Sequence, residues 1–185
     1  FKQLIFVIGG LIFMIGISQP DPDIFRRMSL MILLFALFLL GITYFFGPEI
    51  NGAQRWVRIG SISFQSSEML KIALPIFLAN FLFNKKLPIQ RKEVLISIII
   101  IFCCFFLVYR QPDLGTAVIV ALSGIFVLFL SGLSWSFIGG SLIFLIISSP
   151  FIWNILLEPF QRQRIATYFN PDSDPFGASW NITQS

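Results

Sequence analysis

The sequence contains no histidine among its 185 residues. A histidine general base, a histidine metal ligand and a histidine-based pH switch are therefore excluded within this chain. Only two cysteines occur, Cys103 and Cys104, and they are adjacent within an apolar run. Adjacent thiols in such a run are expected to be small buried hydrophobes rather than a disulfide or a pair of metal ligands. No metal site is predicted.

Charge is also scarce, since only 12% of the residues are charged whereas 56% are hydrophobic. A soluble domain carries about twice that share of charged residues. With a mean hydropathy of +0.85, the composition predicts an integral membrane protein. The net charge of +4 comes from 13 basic and 9 acidic residues. In a membrane protein this excess indicates topology signals and contact with anionic lipid, not nucleic acid.

Uncharged apolar runs mark the membrane spans, because about 20 helical residues cross the hydrocarbon core. Six spans are predicted, at 3–18, 28–46, 65–83, 94–109, 114–133 and 137–157. Unbroken runs of this length are helical, so the predicted fold is an all-α polytopic membrane bundle forming a single domain over 1–185. Residues 158–185 are polar and are predicted to begin a large loop. The chain starts with Phe1 instead of Met, and we expect it to be a fragment of a longer protein.

Sidedness is predicted from the basic residues, because cytoplasmic loops are enriched in Lys and Arg. One side of the predicted spans has tight basic clusters and all three loop lysines, and is predicted to be cytoplasmic: Arg26, Arg27, Lys85, Lys86, Arg91 and Lys92. The other side has as many basic residues: Lys2, Arg55, Arg58, Arg110, Arg162 and Arg164. Loops 47–64 and 110–113 and the tail 158–185 then lie on the outer face, where retained arginines indicate an anionic ligand.

The stretch "NGAQRWVRIGSISFQSSEMLK" places charges at the start of an apolar segment. If a helix begins near Gln65, Ser66 or Ser67 can cap it, and Glu68 lies in its first turn, where the helix dipole favours a carboxylate. Lys71 follows three residues later and can pair with Glu68. Such a pair either lets the helix start at the interface or shapes a polar cavity. The cavity is favoured, because a charge inside the membrane costs about 2.5–3.5 kcal/mol and serine alone would start the helix more cheaply.

Two further polar segments fall on the same predicted side. In "YRQPDLG", Asp113 either caps the span that starts at Leu114 or belongs to a binding site. In "FQRQRIATYFNPDSDPFGASWNITQS", the prolines and glycine predict a turned, non-helical path that is either a solvated loop or part of that site.

Three blocks in this order resemble the SEDS family (shape, elongation, division and sporulation): "GAQRWVRIGSISFQSSEMLKIALP", "QPDLGTAVIVALSGIFVLFLSGLSW" and "QRQRIATYFNPDSDPFGASWNITQS". The resemblance covers essentially all 185 residues and is closest to the member that serves rod-shape elongation. It implies a bacterial plasma-membrane glycosyltransferase with ten transmembrane helices when complete. Such an enzyme polymerises lipid II into peptidoglycan strands beside a class B penicillin-binding transpeptidase. By the same resemblance the family's essential aspartate lies beyond Ser185, so the fragment alone is expected to be inactive.

The resemblance also implies site residues. Those that match family motifs are Arg55 and Trp56 of the first outer loop, Glu68 and Lys71 of the FQPSE motif, Gln111 and Asp113 of QPD, and Arg162 and Arg164 of QRQR. The arginines suit a diphosphate leaving group, and Glu68 and Lys71 are expected to support the cavity. Ser66 replaces the usual proline of FQPSE, and Arg110 precedes QPD where small or apolar residues are common. A divalent cation is compatible with this chemistry, but the sequence does not require one.

Two other functions stay open at this point. A polar cavity between helices could instead move lipid II across the bilayer, because intramembrane ion pairs also mark transport pathways. Charges clustered on one side and the lack of an evident inverted repeat argue against such a flippase. A noncatalytic scaffold of the elongation machinery would leave the outer arginines and the Glu68–Lys71 pair unexplained.

Overall fold

The computed structural model describes residues 2–48, 55–59, 62–87, 89–157 and 159–169. The described residues of 1–133 and those of 134–185 form two compact units. The single domain over 1–185 stays a prediction.

The described part of the chain is almost entirely helical. The first unit has five helices and two strands: α1 (Lys2–Ser18), α2 (Pro22–Phe46), β1 (Trp56–Ile59), β2 (Ile62–Gln65), α3 (Ser66–Phe83), α4 (Arg91–Tyr109) and α5 (Leu114–Leu130). The second unit has α6 (Trp135–Phe151), a π-helical turn (Ile152–Leu156) and α7 (Pro159–Phe169). The predicted helical membrane bundle is therefore confirmed.

Four of the described segments are long and apolar enough to cross a membrane: α2, α3, α4 and Trp135–Ile155. The other two helices in predicted spans, α1 and α5, have 17 residues each, which is the short end of the spanning range. The second helix begins six residues before its predicted span because Asp21 caps it, accepting a hydrogen bond from the Asp23 amide, and Pro22 occupies its first position.

The third helix lies at the centre of the first unit and packs against α2, α4 and α5. Its residues Leu70, Leu74 and Leu78 are fully buried, at the four-residue spacing of one helix face. Gly124 of α5 allows a close approach, because a Cβ there would lie 2.6 Å from Ile101 Cγ1 of α4. Small residues at such crossings are typical of helices that pack within lipid.

The segment between α2 and α3 contains a β-hairpin that the sequence analysis missed. Its strands are antiparallel, with Trp56 opposite Gln65 and Ile59 opposite Ile62. The predicted connection over 47–64 therefore contains two strands that the sequence did not predict, whereas residues 49–54 lie outside the described part. A signal was present, because the dipeptide Gly60–Ser61 stands between two short runs that contain β-branched and aromatic residues.

The first part of the predicted tail loop is a helix in the structure, since residues Pro159–Phe169 form α7. Proline is favoured at the first position of a helix, where its missing N–H costs nothing, and Pro159 stands there. The polarity of this segment favoured a loop, but a helix outside the hydrocarbon core needs no apolar run. The turned path predicted around Pro171 lies outside the described residues.

Candidate functional site

Asp113 organises a group of polar side chains at the hairpin end of the first unit. Its Oδ2 accepts a hydrogen bond of 2.7 Å from Gln65 Nε2, and its Oδ1 accepts one of 3.2 Å from the Thr116 amide. Arg55 Nη1 lies 4.0 Å from the same Oδ1. We call Arg55, Gln65 and Asp113 the Asp113 cluster. The Thr116 contact is the predicted N-cap of α5, so Asp113 does cap that helix, and it holds two further residues as well.

Asp113 holds the Arg55 side chain in place, but one of its hydrogen-bond donors has no partner among the described residues. Its side chain is 20% exposed and the Asp113 side chain is 11% exposed, so the pair is largely shielded from water. The Arg55 Nε is buried and donates no hydrogen bond within the described part of the chain. A guanidinium has five N–H donors in a fixed fork, so Arg55 can still bind an anion while its charge is balanced by Asp113.

Gln65 is the residue of this cluster that the sequence analysis did not identify as functional. The predicted Ser66 or Ser67 cap of α3 is wrong, because Gln65 is the N-cap residue and makes no side-chain cap bond. Its amide is directed to Asp113 instead, and the hydroxyls of both serines are buried without a partner among the described residues. Ser66 is already helical, whereas a capping residue must stand before the helix in extended conformation.

The hairpin register fixes where this glutamine lies. Trp56 is opposite Gln65 in the ladder, and Arg55 directly precedes Trp56. The pairing of β1 with β2 therefore brings Arg55 next to Gln65, which is ten residues further along the chain and directly precedes α3. The sequence grouped Arg55 and Trp56 with Glu68 and Lys71 through motifs, and the hairpin is the physical link between them.

Glu68 and Lys71 form the predicted ion pair, with Lys71 Nζ 2.7 Å from Glu68 Oε2. The Glu68 side chain is 47% exposed and that of Lys71 is 26% exposed, so both remain accessible at the end of the bundle. The carboxylate lies in the first turn of α3, where the helix dipole stabilises it. Since Glu68 follows Gln65 by three residues, the pair is about one helical turn from the Asp113 cluster.

The remaining predicted site residues make other contacts. Gln111 is only 2% exposed, and its Nε2 donates a 3.0 Å hydrogen bond to the Leu40 carbonyl of α2. Arg162 belongs to the second unit, where its guanidinium donates to the carbonyls of Asn154 and Leu157 at 3.0 Å each and closes the π-helical turn. The Arg164 side chain is outside the described residues. Contacts of these three residues with a substrate stay predictions.

The chemistry available at the hairpin end is anion binding next to a paired carboxylate and ammonium. Among the described residues, no three cysteine, aspartate or glutamate side chains come together as a metal site would require. The groups that could bind a ligand here are the Arg55 guanidinium and the Lys71 ammonium. Both are cations that favour phosphate groups.

Comparison with known proteins identifies the family. The sequence model of the FtsW/RodA/SpoVE family, described as cell cycle protein, matches residues 1–185. The chain belongs to this family. The SEDS resemblance is thereby confirmed, because the match covers every residue of the chain.

Named relatives support the same assignment. Peptidoglycan glycosyltransferase MrdB of Escherichia coli K12 is 40% identical over 176 residues, which are 95% of this chain and 48% of MrdB. The chain spans about half the length of the curated relatives it matches.

Two solved structures share the fold. A chain from a structure of a peptidoglycan synthase complex that coordinates polymerization and crosslinking superposes with a TM-score of 0.78 at 28% identity, covering 99% of this chain and 54% of that one. The rod shape determining protein RodA of Thermus thermophilus gives a TM-score of 0.64 at 26% identity, covering 75% of this chain and 46% of that one.

Proposed function

We propose that this chain is part of a peptidoglycan glycosyltransferase that polymerises lipid II into glycan strands for cell elongation and rod shape. The observation that carries the proposal is the Asp113 cluster, in which Arg55 is held against Asp113 about one helical turn from the Glu68–Lys71 pair. The names of the relatives support the reaction, since MrdB is a peptidoglycan glycosyltransferase. The synthase complex that shares the fold supports a class B penicillin-binding transpeptidase as partner.

The reaction requires the charges that this end of the bundle offers. A sugar hydroxyl attacks the anomeric carbon of the lipid-linked donor, loses its proton, and displaces the lipid diphosphate. The leaving diphosphate gains negative charge, which a guanidinium stabilises through paired N–H donors. Arg55 is the described residue best placed for this role. Asp113 acts on it as a positioning residue, because both of its oxygens are already engaged by protein donors.

The Glu68–Lys71 pair supports the cavity in this proposal. Lys71 would add a second cation for the diphosphate, and Glu68 would keep the net charge near zero so that the helix can begin at the membrane interface. The base that accepts the hydroxyl proton is not assigned to a described residue. The same scheme places the protein in the bacterial inner membrane with the hairpin end outward. The basic residues at the opposite end of α2 and α3, such as Arg26 and Lys85, support this orientation.

The test is a lipid II polymerisation assay on the full-length protein with its transpeptidase, whose own active site is blocked by a β-lactam. Glu68→Ala should reduce glycan ladders at least about tenfold, which corresponds to about 1.4 kcal/mol of transition-state stabilisation. The matched control is Asp23→Ala, because Asp23 and Arg26 form a similar i,i+3 pair of 3.1 Å at the opposite end of the bundle. The control should keep wild-type ladders.

Arg55→Gln tests the diphosphate contact separately, with Arg91→Gln at the exposed far end of α4 as its control. Loss of ladders in Arg55→Gln alone is expected. Normal ladders in both Glu68→Ala and Arg55→Gln would refute the site. A well-folded wild-type complex that makes no ladders but carries lipid II across liposomes would replace the polymerase with a flippase.

A further inference from the structure

A cavity of about 290 Å³ lies between the C-terminal halves of α2 and α4. Its α2 wall includes Leu37, Gly41 and Tyr44, and its α4 wall includes Leu107 and Arg110. We call this cavity the α2–α4 groove. It reaches the low end of the size range of ligand pockets in proteins, and its lining is mostly apolar with few polar groups, as such pockets are.

The polar and apolar lining residues are separated along the helix axis. Tyr44 and Arg110 stand at the ends of α2 and α4, at the hairpin end of the unit. Leu37 is seven residues before Tyr44 on the same helix, which is about 10 Å further into the membrane. The groove therefore has a polar mouth at the interface and an apolar depth, which is the distribution of polarity in a membrane lipid.

Arg110 gives the mouth a positive charge that the described part of the chain does not neutralise. The side chain is exposed, and no carboxylate lies within ion-pair distance of it among the described residues. Next to it, the Gln111 side chain is almost fully buried against the groove, and its Oε1 accepts no hydrogen bond within the same described residues. A ligand with a phosphate and a hydroxyl donor would complement both groups.

We propose that the α2–α4 groove binds one anionic phospholipid of the surrounding leaflet. The phosphate lies at Arg110 and Tyr44, and one acyl chain runs along Gly41 toward Leu37. A bilayer lipid is favoured over the lipid-linked substrate because the groove lies beside an apolar side chain, Phe45, which is 74% exposed. Its arginine is also separate from the Asp113 cluster. The proposal does not depend on the glycosyltransferase activity.

Gly41 makes a direct test possible. A Cβ added there would meet no atom within 4 Å, so Gly41→Leu has room for its first side-chain atom, and the rest of the leucine should occupy the groove. Gly10→Leu in α1 is the matched control, because Gly10 also has nothing within 4 Å of the added Cβ and lies in an apolar helix away from the groove. The role of the positive charge is tested with Arg110→Gln, which removes the cation at the groove. Its control is Arg91→Gln, which removes a cation at the other end of α4.

The experiment is native mass spectrometry of the full-length protein, titrated with dioleoyl phosphatidylglycerol or dioleoyl phosphatidylcholine. The wild type should retain one phosphatidylglycerol at least about tenfold more tightly than phosphatidylcholine, a difference of about 1.4 kcal/mol. Arg110→Gln should abolish the preference, and Gly41→Leu should abolish retention of both lipids. Gly10→Leu and Arg91→Gln should behave as wild type.

Several outcomes would overturn the proposal. Equal retention of the two lipids by the wild type would remove the role of charge, and an unchanged preference in Arg110→Gln would place the lipid elsewhere. Displacement of phosphatidylglycerol by undecaprenyl diphosphate at a lower concentration would assign the groove to the substrate carrier instead. Since polymerisation is not part of the readout, failure here is separable from failure of the proposed function.

Discussion

The contact between Gln65 and Asp113 should be one of the strongest single interactions at the hairpin end. A hydrogen bond to a charged group contributes about 1.5–3 kcal/mol when its partners are shielded from water. The 2.7 Å separation and the 11% exposure of the Asp113 side chain both fit that range. Arg55, at 4.0 Å, adds Coulomb attraction of about 4 kcal/mol at an effective dielectric of 20, most of which desolvation offsets.

A double-mutant cycle isolates the interaction energy between the Gln65 and Asp113 side chains, because the effects of each single change on other partners cancel. Asp113→Ala should cost about 3–5 kcal/mol, since it removes the cap of α5 and leaves Arg55 without a partner. Gln65→Ala should cost about 1.5–3 kcal/mol, and the two changes together should cost less than their sum by a coupling energy of similar size. The free energy of unfolding is measured by titration with sodium dodecyl sulfate in mixed micelles, followed by circular dichroism.

The Ser29–Asn80 hydrogen bond provides the comparison. It joins α2 to α3 at 2.8 Å between two neutral side chains, and hydrogen bonds of this kind in membranes contribute about 0.6 kcal/mol. A coupling energy for Gln65–Asp113 below about 0.5 kcal/mol, or no larger than that of Ser29–Asn80, would refute the charge-assisted contact. It would also remove the reason for treating Asp113 as the residue that positions Arg55.

Two further predictions concern stability. Ser66→Pro should raise the free energy of unfolding by about 0.4–1 kcal/mol. Gln65 already has the extended backbone (φ −97°, ψ 113°) that a following proline requires, and Ser66 is the first helical residue, where proline is favoured. Destabilisation in the same detergent titration would contradict this. Gly124→Ala should cost about 1–3 kcal/mol, because the added Cβ would lie 2.6 Å from Ile101 Cγ1 and 3.2 Å from Leu78 Cδ1. That cost should shrink in an Ile101→Ala background, and an equal cost in both backgrounds would place the strain elsewhere.

Local features of the site could be predicted from the sequence, whereas contacts between distant segments could not. The Glu68–Lys71 pair was predicted because residues three apart on a helix are neighbours whatever the rest of the fold does. The Asp113 cap of α5 was predicted for the same reason. The partner of Asp113 was not, because Gln65 lies 48 positions away and comes near only when the hairpin pairs and α3 packs against α5.

The hairpin shows how a signal can be present and still be overlooked. Residues 56–65 have strand-forming residues on both sides of Gly60–Ser61, but they are few and polar compared with the long apolar runs around them. The short strands gain their position from the end of α2 and the start of α3. Their effect on function is large, because the register places Arg55 and Trp56 beside Gln65.

The sequence by itself determined that this is a polytopic helical membrane protein of a recognisable family, and where its charged motifs lie. Hydropathy and motif spacing are properties of neighbouring residues, so they can be read from the sequence without a structure. Only the tertiary structure decided which polar residues meet, that Gln111 is directed to the Leu40 carbonyl, and that a groove opens between α2 and α4. The physical reason is that lipid is as apolar as a protein core, so the lipid-facing and packed sides of each helix have similar residues and the rotation of a helix is set by its neighbours.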